Sequence, residues 1–334
     1  MACSSKKLGV LKIALFIILF ALYGCQPEAG QLSGGPPLKL SLAVSPATYS
    51  ALVAIADEKG FFREAGLEVS MNLYPSGKMA LEAVCRKEAQ AATVADIAFS
   101  AKAFEDSSIR ILASISTTAG SQIVARKDKN IHKPSDLRGK RVGYTSGTVS
   151  DYFLYAFLIT ESIPTKYITA VDIPSDRQVE SIINGEVDAV SAFEMFAFEA
   201  KEKLGKNAVS WNSQNNLGYH WLIATSKSFI KSPEPLKRLI KALIMAEDFV
   251  IHNEEPAKKI LAHHWGFDSK FVEYSWPETR LNVSFSQSMV ISLQNYTRWQ
   301  MSKEGIFTDP PNVLNYLHTE ILDEAAPGLV SIFR

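Results

Sequence analysis

Between Leu38 and Thr225 short apolar runs alternate with helical patterns and with glycine- or proline-bearing turns, and this alternation constrains the fold more than any other feature. Leu38, Leu40, Leu42 and Val44 alternate with Lys39, Ser41 and Ala43, which predicts an opening strand. A helix over 50–59 ends at Gly60, a compact turn covers 61–66, and a strand follows over 67–73. A helix over 78–87 and short strands over 92–96 and 109–115 complete one β-α-β series. From Gln122 the pattern repeats: strands over 122–125, 141–144, 168–173 and 187–192, with helices after Thr148 and over 177–184. Another strand is predicted over 219–225. Beyond it the chain reads as almost wholly helical, over 234–253, 256–265, 287–304 and 311–322. Strands alternating with helices imply an α/β fold of mostly parallel central sheets flanked by helices, and two such series imply two lobes.

In open sheets of this kind a ligand sits outside the carboxyl ends of the strands. The residues there are Thr48, Tyr49, Ser76, Gly77, Thr93, Asp96, Thr117, Thr118, Thr145, Ser146, Gly147, Thr148, Glu194, Tyr219 and Trp221. Hydroxyls and aromatics dominate, with two carboxylates and, apart from His220, no histidine. Such a set suits binding better than catalysis. Thr145 to Thr148 joins a strand to a helix start, where a glycine, three hydroxyls and unpaired N–H groups would suit an oxyanion. An ordinary helix cap by Thr148 explains the same residues.

The start of the chain assigns a compartment. Lys6, Lys7 and Lys12 precede an unbroken apolar run over 13–22, the layout of a secretory signal. The run falls short of the roughly 20 apolar residues that span a bilayer. Leu22-Tyr23-Gly24-Cys25 resembles the bacterial lipobox, in which the cysteine is lipidated and becomes the first mature residue. Tyr23 departs from the small or aliphatic residue usual there, and an uncleaved N-terminal anchor is the alternative. Residues 25–37, with Gly30, Gly34, Gly35, Pro36 and Pro37, read as a flexible tether.

Removing residues 1–24 takes three lysines from a balanced 35 basic and 35 acidic residues, leaving about −3, so nucleic acid is excluded as a partner. Cys3 leaves with the signal and Cys25 is the lipid site. Cys85 then stands alone in a helical pattern with Met79, Ala80 and Val84, where a buried, unreactive thiol is expected. His263 and His264 are adjacent on a helix and point about 100° apart, unlike a metal-binding i, i+4 pair. No metal and no cofactor is implied. Trp211, Trp265, Trp276 and Trp299 read as core or interlobe residues, with Trp221 alone near the cleft. The sequons Asn282-Val-Ser284 and Asn295-Tyr-Thr297 are chance under a lipobox reading.

Five pieces in order resemble the solute-binding proteins of ABC importers for nitrate, sulfonates, taurine and thiamine-pyrimidine precursors. They are the run from Ala54 to Val69, Ala92-Thr-Val-Ala-Asp96, Asp136-Leu-Arg-Gly-Lys-Arg-Val-Gly143, Thr145-Ser-Gly-Thr148 and Asn184-Gly-Glu-Val-Asp-Ala189. Gly305-Ile-Phe307 before Pro311 resembles that family's C-terminal end. The resemblance covers residues 38–334 and implies a two-lobed, type II periplasmic-binding-protein fold, closing on a small molecule and presenting it to a membrane permease. It places hinge crossings at 119–121 and 219–225, assigning 38–118 and 226–334 to one lobe and 119–225 to the other. By position, Thr145–Thr148 would cradle an oxyanion. Glu194, in Phe193-Glu194-Met195, would meet a ligand amine, making the ligand a small zwitterion; a solvated helix-start acid is the plain alternative. The implied protein is a lipid-anchored monomer facing the periplasm or exterior. A ligand-sensing lipoprotein, or an enzyme of the thiamine-pyrimidine or menaquinone type on the same fold, are the rival readings, although the synthases' cysteine-rich motif is absent.

Overall fold

The structure, a computed structural model, describes residues 36–214 and 218–333. The leader, the lipidation cysteine and most of the tether lie outside the described residues. Among the described residues no helix is long and apolar enough to cross a membrane.

The larger sheet begins with β1 (Leu38–Val44), whose Leu40, Leu42, Ala43 and Val44 are buried. It pairs in parallel with β2 (Leu67–Leu73), from Leu38↔Leu67 to Val44↔Leu73, and on its other side with β3 (Ala91–Ala95). β3 is buried throughout and carries small residues, so the helix Gly77–Cys85 packs closely on it. A helix, Ala51–Glu58, joins β1 to the turn before β2, as its unbroken run of apolar residues requires. The ladder continues through β10 (Tyr219–Ser226), β4 (Ile109–Thr118), β11 (Thr279–Ser286) and β12 (Val330–Ser331), giving the order β12-β11-β4-β10-β3-β1-β2.

The smaller sheet has the order β7-β6-β8-β5-β9, from β5 (Gln122–Arg126), β6 (Arg141–Tyr144), β7 (Thr169–Asp172), β8 (Ala189–Ala192) and β9 (Ala208–Asn212). Its core includes Ile123, Val142, Leu154, Phe157 and Leu158, which the helix Val149–Thr160 presses onto the sheet. The two sheets and their helices are the two lobes of a periplasmic-binding-protein-like α/β fold.

Parallel pairing holds within the β-α-β units, β1 with β2 and β3, and β6 with β7 and β8. The strands that enter or leave each sheet from the other lobe pair antiparallel: β10 with β3 and β4, and β5 with β8 and β9. A chain that crosses over and returns reverses direction at each passage, which makes the sheets mixed.

The chain passes to the smaller sheet between Thr118 and Gln122, and returns between Asn212 and Tyr219. The expected second crossing at 219–225 is therefore displaced. Tyr219–Ser226 is buried along its whole length at the centre of the larger sheet, as a continuous apolar run covered on both faces should be. The two passages hold each other: Ser213 N–H donates to Ser121 O (3.1 Å), Ser121 N–H to Gln214 Oε1 (2.6 Å), and Gln214 Nε2 to Thr118 O (3.3 Å).

Three elements differ from expectation. Asp96–Glu105 is a helix begun by the acid at its first position, where the sequence pattern predicts the end of a strand. Leu281, Val283 and Phe285 form the inward face of β11, between the helices expected over 256–265 and 287–304, where the sequence pattern marks no strand. The helix expected over 311–322 is a short turn, Val313–Tyr316, followed by the helix Glu320–Ala325. The break falls where Leu317 bridges Ile111 of β4 and His318 N–H donates to Ile111 O (2.9 Å), so pairing with the sheet replaces the helical hydrogen bond.

Candidate functional site

Six of the residues read from the strand ends are packed or hydrogen-bonded within the protein. Thr48, in the turn after β1, pairs its hydroxyl with Ser275 Oγ. Trp221 Nε1 donates to Ser50 Oγ (2.8 Å) and its ring packs 4.3 Å from that of Tyr49, so Trp221 stands behind Tyr49 as a buttress. Gly77 lies behind Trp221: a Cβ there would come within 2.6 Å of the indole and 2.9 Å of Val94 Cα. The expected ligand contacts at Gly77 and Trp221 are thus packing contacts. Thr93 Oγ1 accepts from Ser45 N–H (3.0 Å). Asp96 is fully buried and accepts from Ile97 N–H and His220 N–H (2.9 and 3.0 Å), yet burial outweighs these bonds and pushes its carboxyl up to about 8. Thr117 Oγ1 lies 3.4 Å from His220 Nδ1, and burial holds that imidazole neutral, down to about 4.

A second group is buried between the lobes with polar atoms that meet no partner among the described residues. Glu194 opens the helix Glu194–Leu204 directly after β8 and is 1% exposed. Its Oε2 accepts from Thr118 Oγ1 (3.2 Å), across the gap between the lobes, while Oε1 is unpartnered. Burial pushes the carboxyl up to about 8, so Glu194 is a neutral acid at pH 7 and not a solvated helix-start acid. Gly120 is needed beside it, since a Cβ would fall 2.8 Å from Oε2. Ser121 Oγ and Ser213 Oγ are likewise buried and unpartnered, while the buried Tyr219 hydroxyl meets only that of Tyr49. Tyr219 rests against Tyr49 (5.9 Å) and against Phe153 of the opposite lobe (6.2 Å). A buried polar group without a partner costs about 1–3 kcal/mol, so the free Oε1 of the acid and the two serine hydroxyls are groups left to hydrogen-bond to something else. Ser121 and Ser213 were not anticipated. Ser121 sits in a crossing that was recognised; Ser213 follows β9, a strand that the pattern did not disclose.

The loop at 145–148 is not an open anion cradle. Thr145 N–H donates to Ser150 Oγ (3.0 Å), Ser146 N–H to Asp172 Oδ1 (2.9 Å) and Gly147 N–H to Asp151 Oδ2 (2.9 Å). The chain's own oxygens, two of them carboxylates, occupy the donors that an oxyanion would need. Thr148 caps the following helix, accepting from Ser150 N–H (3.2 Å) and donating to Thr145 O (2.7 Å). Gly147 has φ +68°, which explains the glycine without a ligand. Nearby Gln178 donates to Thr145 Oγ1, Ser150 Oγ and Ser191 O, leaving its buried Oε1 unpartnered. Among the described residues no cluster of three His, Cys, Asp or Glu side chains could hold a metal.

A buried acid and two serine hydroxyls without partners, with the Tyr49–Tyr219 pair beside them, thus lie where the two lobes meet. The NMT1/THI5-like family model matches residues 47–257, and the chain belongs to that family. A protein of Brucella abortus assigned as a binding protein is 22% identical over 228 residues, covering 67% of this chain and 70% of its own length. In overall fold the chain is similar to the alkanesulfonate-binding protein SsuA of Xanthomonas axonopodis pv. citri, solved with MOPS bound. That likeness has a TM-score of 0.73 at 15% identity, covering 86% of this chain and all of the other. The same fold also carries an enzyme: the desulfurization enzyme DszB matches with a TM-score of 0.62 at 16% identity, over 87% of this chain and 99% of its own.

Proposed function

We propose that this protein is the solute-capturing component of an ABC importer, exported and lipid-anchored at Cys25, that closes its two lobes on a small organic zwitterion and delivers it to a membrane permease. The observation that carries the reading is the unpartnered set of Glu194 Oε1, Ser121 Oγ and Ser213 Oγ at the meeting of the lobes. Glu194 receives the ligand's amine, either accepting from it as the neutral acid or releasing its proton to become the counter-ion. The hydroxyls of Ser121, Ser213 and Tyr219 supply the donors for the ligand's acidic end, in place of the occupied 145–148 amides. Tyr49 forms the wall beside them. The relatives assigned as binding proteins support a binding role in preference to an enzymatic one. So does Cys85, which is no nucleophile: burial and then Asp106 push its thiol up to about 11.

Thermal shift and calorimetry of the full chain against taurine, alkanesulfonates, amino acids, nitrate and pyrimidines test this. An amine-bearing zwitterion should raise the melting temperature, because a ligand that binds only the folded state stabilises it by mass action. Glu194→Gln should weaken that binding at least tenfold. Tight binding of an uncharged heterocycle, untouched by Glu194→Gln, would overturn the zwitterion.

A further inference from the structure

With its amides occupied from within, the 145–148 loop needs another explanation for its place at the lobe boundary. The opposite lobe grips it at two points. Lys78, on the helix Gly77–Cys85, donates from Nζ to Ser146 O (3.0 Å). Lys303, the last residue of the helix Gln287–Lys303, pairs with Asp151 Oδ2, the same oxygen that accepts from Gly147 N–H. Asp151 is no surface acid, since its side chain is 8% exposed, and the ammonium of Lys303 rests over the rings of Trp299 (5.3 Å) and Tyr144 (5.8 Å). Beside the pair, Tyr152 of the smaller lobe meets Tyr296 and Trp299 of the larger edge-on, at 4.7 and 5.2 Å. Two open grooves of about 310 and 610 Å³ flank the loop, so it stands at the rim of the cleft and not on its floor.

We propose that the 145–148 loop is the seat of a closure latch, and that Lys303, acting through Asp151, is the positioning residue that holds the lobes shut. Opening would part Lys303 from a carboxylate that is largely excluded from water and leave it with a single N–H donor, whereas exposed surface pairs lose almost nothing on parting. The aromatic contact opens with it. The latch thereby sets how slowly a captured solute escapes, a consequence that rests on the solute-capture reading, while the closure itself does not.

Closure is measurable without any solute. Nitroxides at Glu68 and Glu161, on the full chain with Cys3, Cys25 and Cys85 each replaced by Ser, report the interlobe distance by pulsed electron resonance. Lys303→Met keeps the apolar stem over Trp299 and should raise the longer-distance population at least tenfold. Asp151→Asn should do the same, the double variant should go no further than either single one, and Lys303→Arg should restore the short distance. Thermal melting of Lys303→Met should stay close to that of the parent, separating a latch from a part of the fold. An unchanged distance distribution in Lys303→Met, or a Lys303→Arg variant as open as Lys303→Met, would overturn the latch. Where the ligand screen yields a solute, its dissociation from Lys303→Met should be about tenfold faster with association within twofold. Where the screen yields none, the distance measurement still decides the latch by itself.

Discussion

Replacing Glu194 by Gln should change how stability depends on pH, by an amount that follows from its burial. The carboxyl has an ordinary value of 4.5 and is pushed up to about 8, chiefly because it is removed from water, with Glu278 adding to the rise and the Thr118 hydroxyl opposing it. Tyr49, Tyr219 and Tyr274 also feel its charge, and no cation compensates it there among the described residues. Between those two pH values the folded protein keeps a proton that the unfolded chain has released, so stability falls as pH rises. The loss is about 1.4 kcal/mol per pH unit, roughly 5 kcal/mol across the whole window, and is complete above pH 8. Glutamine has the shape of the protonated acid and can still accept from Thr118, but does not titrate. Near pH 5 the variant should therefore match the parent, and at pH 9 it should be more stable by about 5 kcal/mol. Asp96 titrates alike in both proteins and cancels in the difference. Urea denaturation at pH 5, 6, 7, 8 and 9 reads the two curves. A stability difference that stays flat over that range would show Glu194 to be ionised like a surface acid, and the argument from burial would fall.

Tyr219→Phe removes a buried hydroxyl whose one partner in the protein is that of Tyr49, so solute affinity should drop at least tenfold while urea denaturation shows a loss of about 1 kcal/mol. A loss above about 2 kcal/mol would mean that the hydroxyl is held by more than Tyr49. Gly77→Ala brings a methyl against Val94 Cα and the Trp221 ring, and the backbone atom cannot give way. It should cost about 2 kcal/mol in the same assay, with weakened binding following from a displaced Tyr49.

Much of the fold was legible because the patterns are local. The alternation in Leu38–Val44 and the glycine after Lys59 mark a strand and a helix end by period and backbone freedom alone. Thr148 before an apolar 3.6-residue pattern marks a helix start, and the helix Val149–Thr160 begins there. β10 was located but misassigned between the lobes, since an apolar run announces burial without saying in which sheet. β11 was lost among helices because Thr279–Ser286 is only partly buried and its alternation is weak beside the flanking patterns.

The site divides along the same line. Sequence alone determined that hydroxyls, aromatics and two acids gather at strand ends, because chain direction and strand period bring them there. Which of those groups remain free for a ligand was decided only in three dimensions. Gly147 looks like an open donor until Asp151 is seen to accept from it, with Lys303 arriving from 152 residues further along. Glu194 looks like an exposed helix-start acid until Thr118, 76 residues earlier, closes over it and burial neutralises it. Hydrophobic period is a property of neighbours in the chain; the occupancy of a hydrogen bond and the exclusion of water are properties of whatever the fold brings alongside.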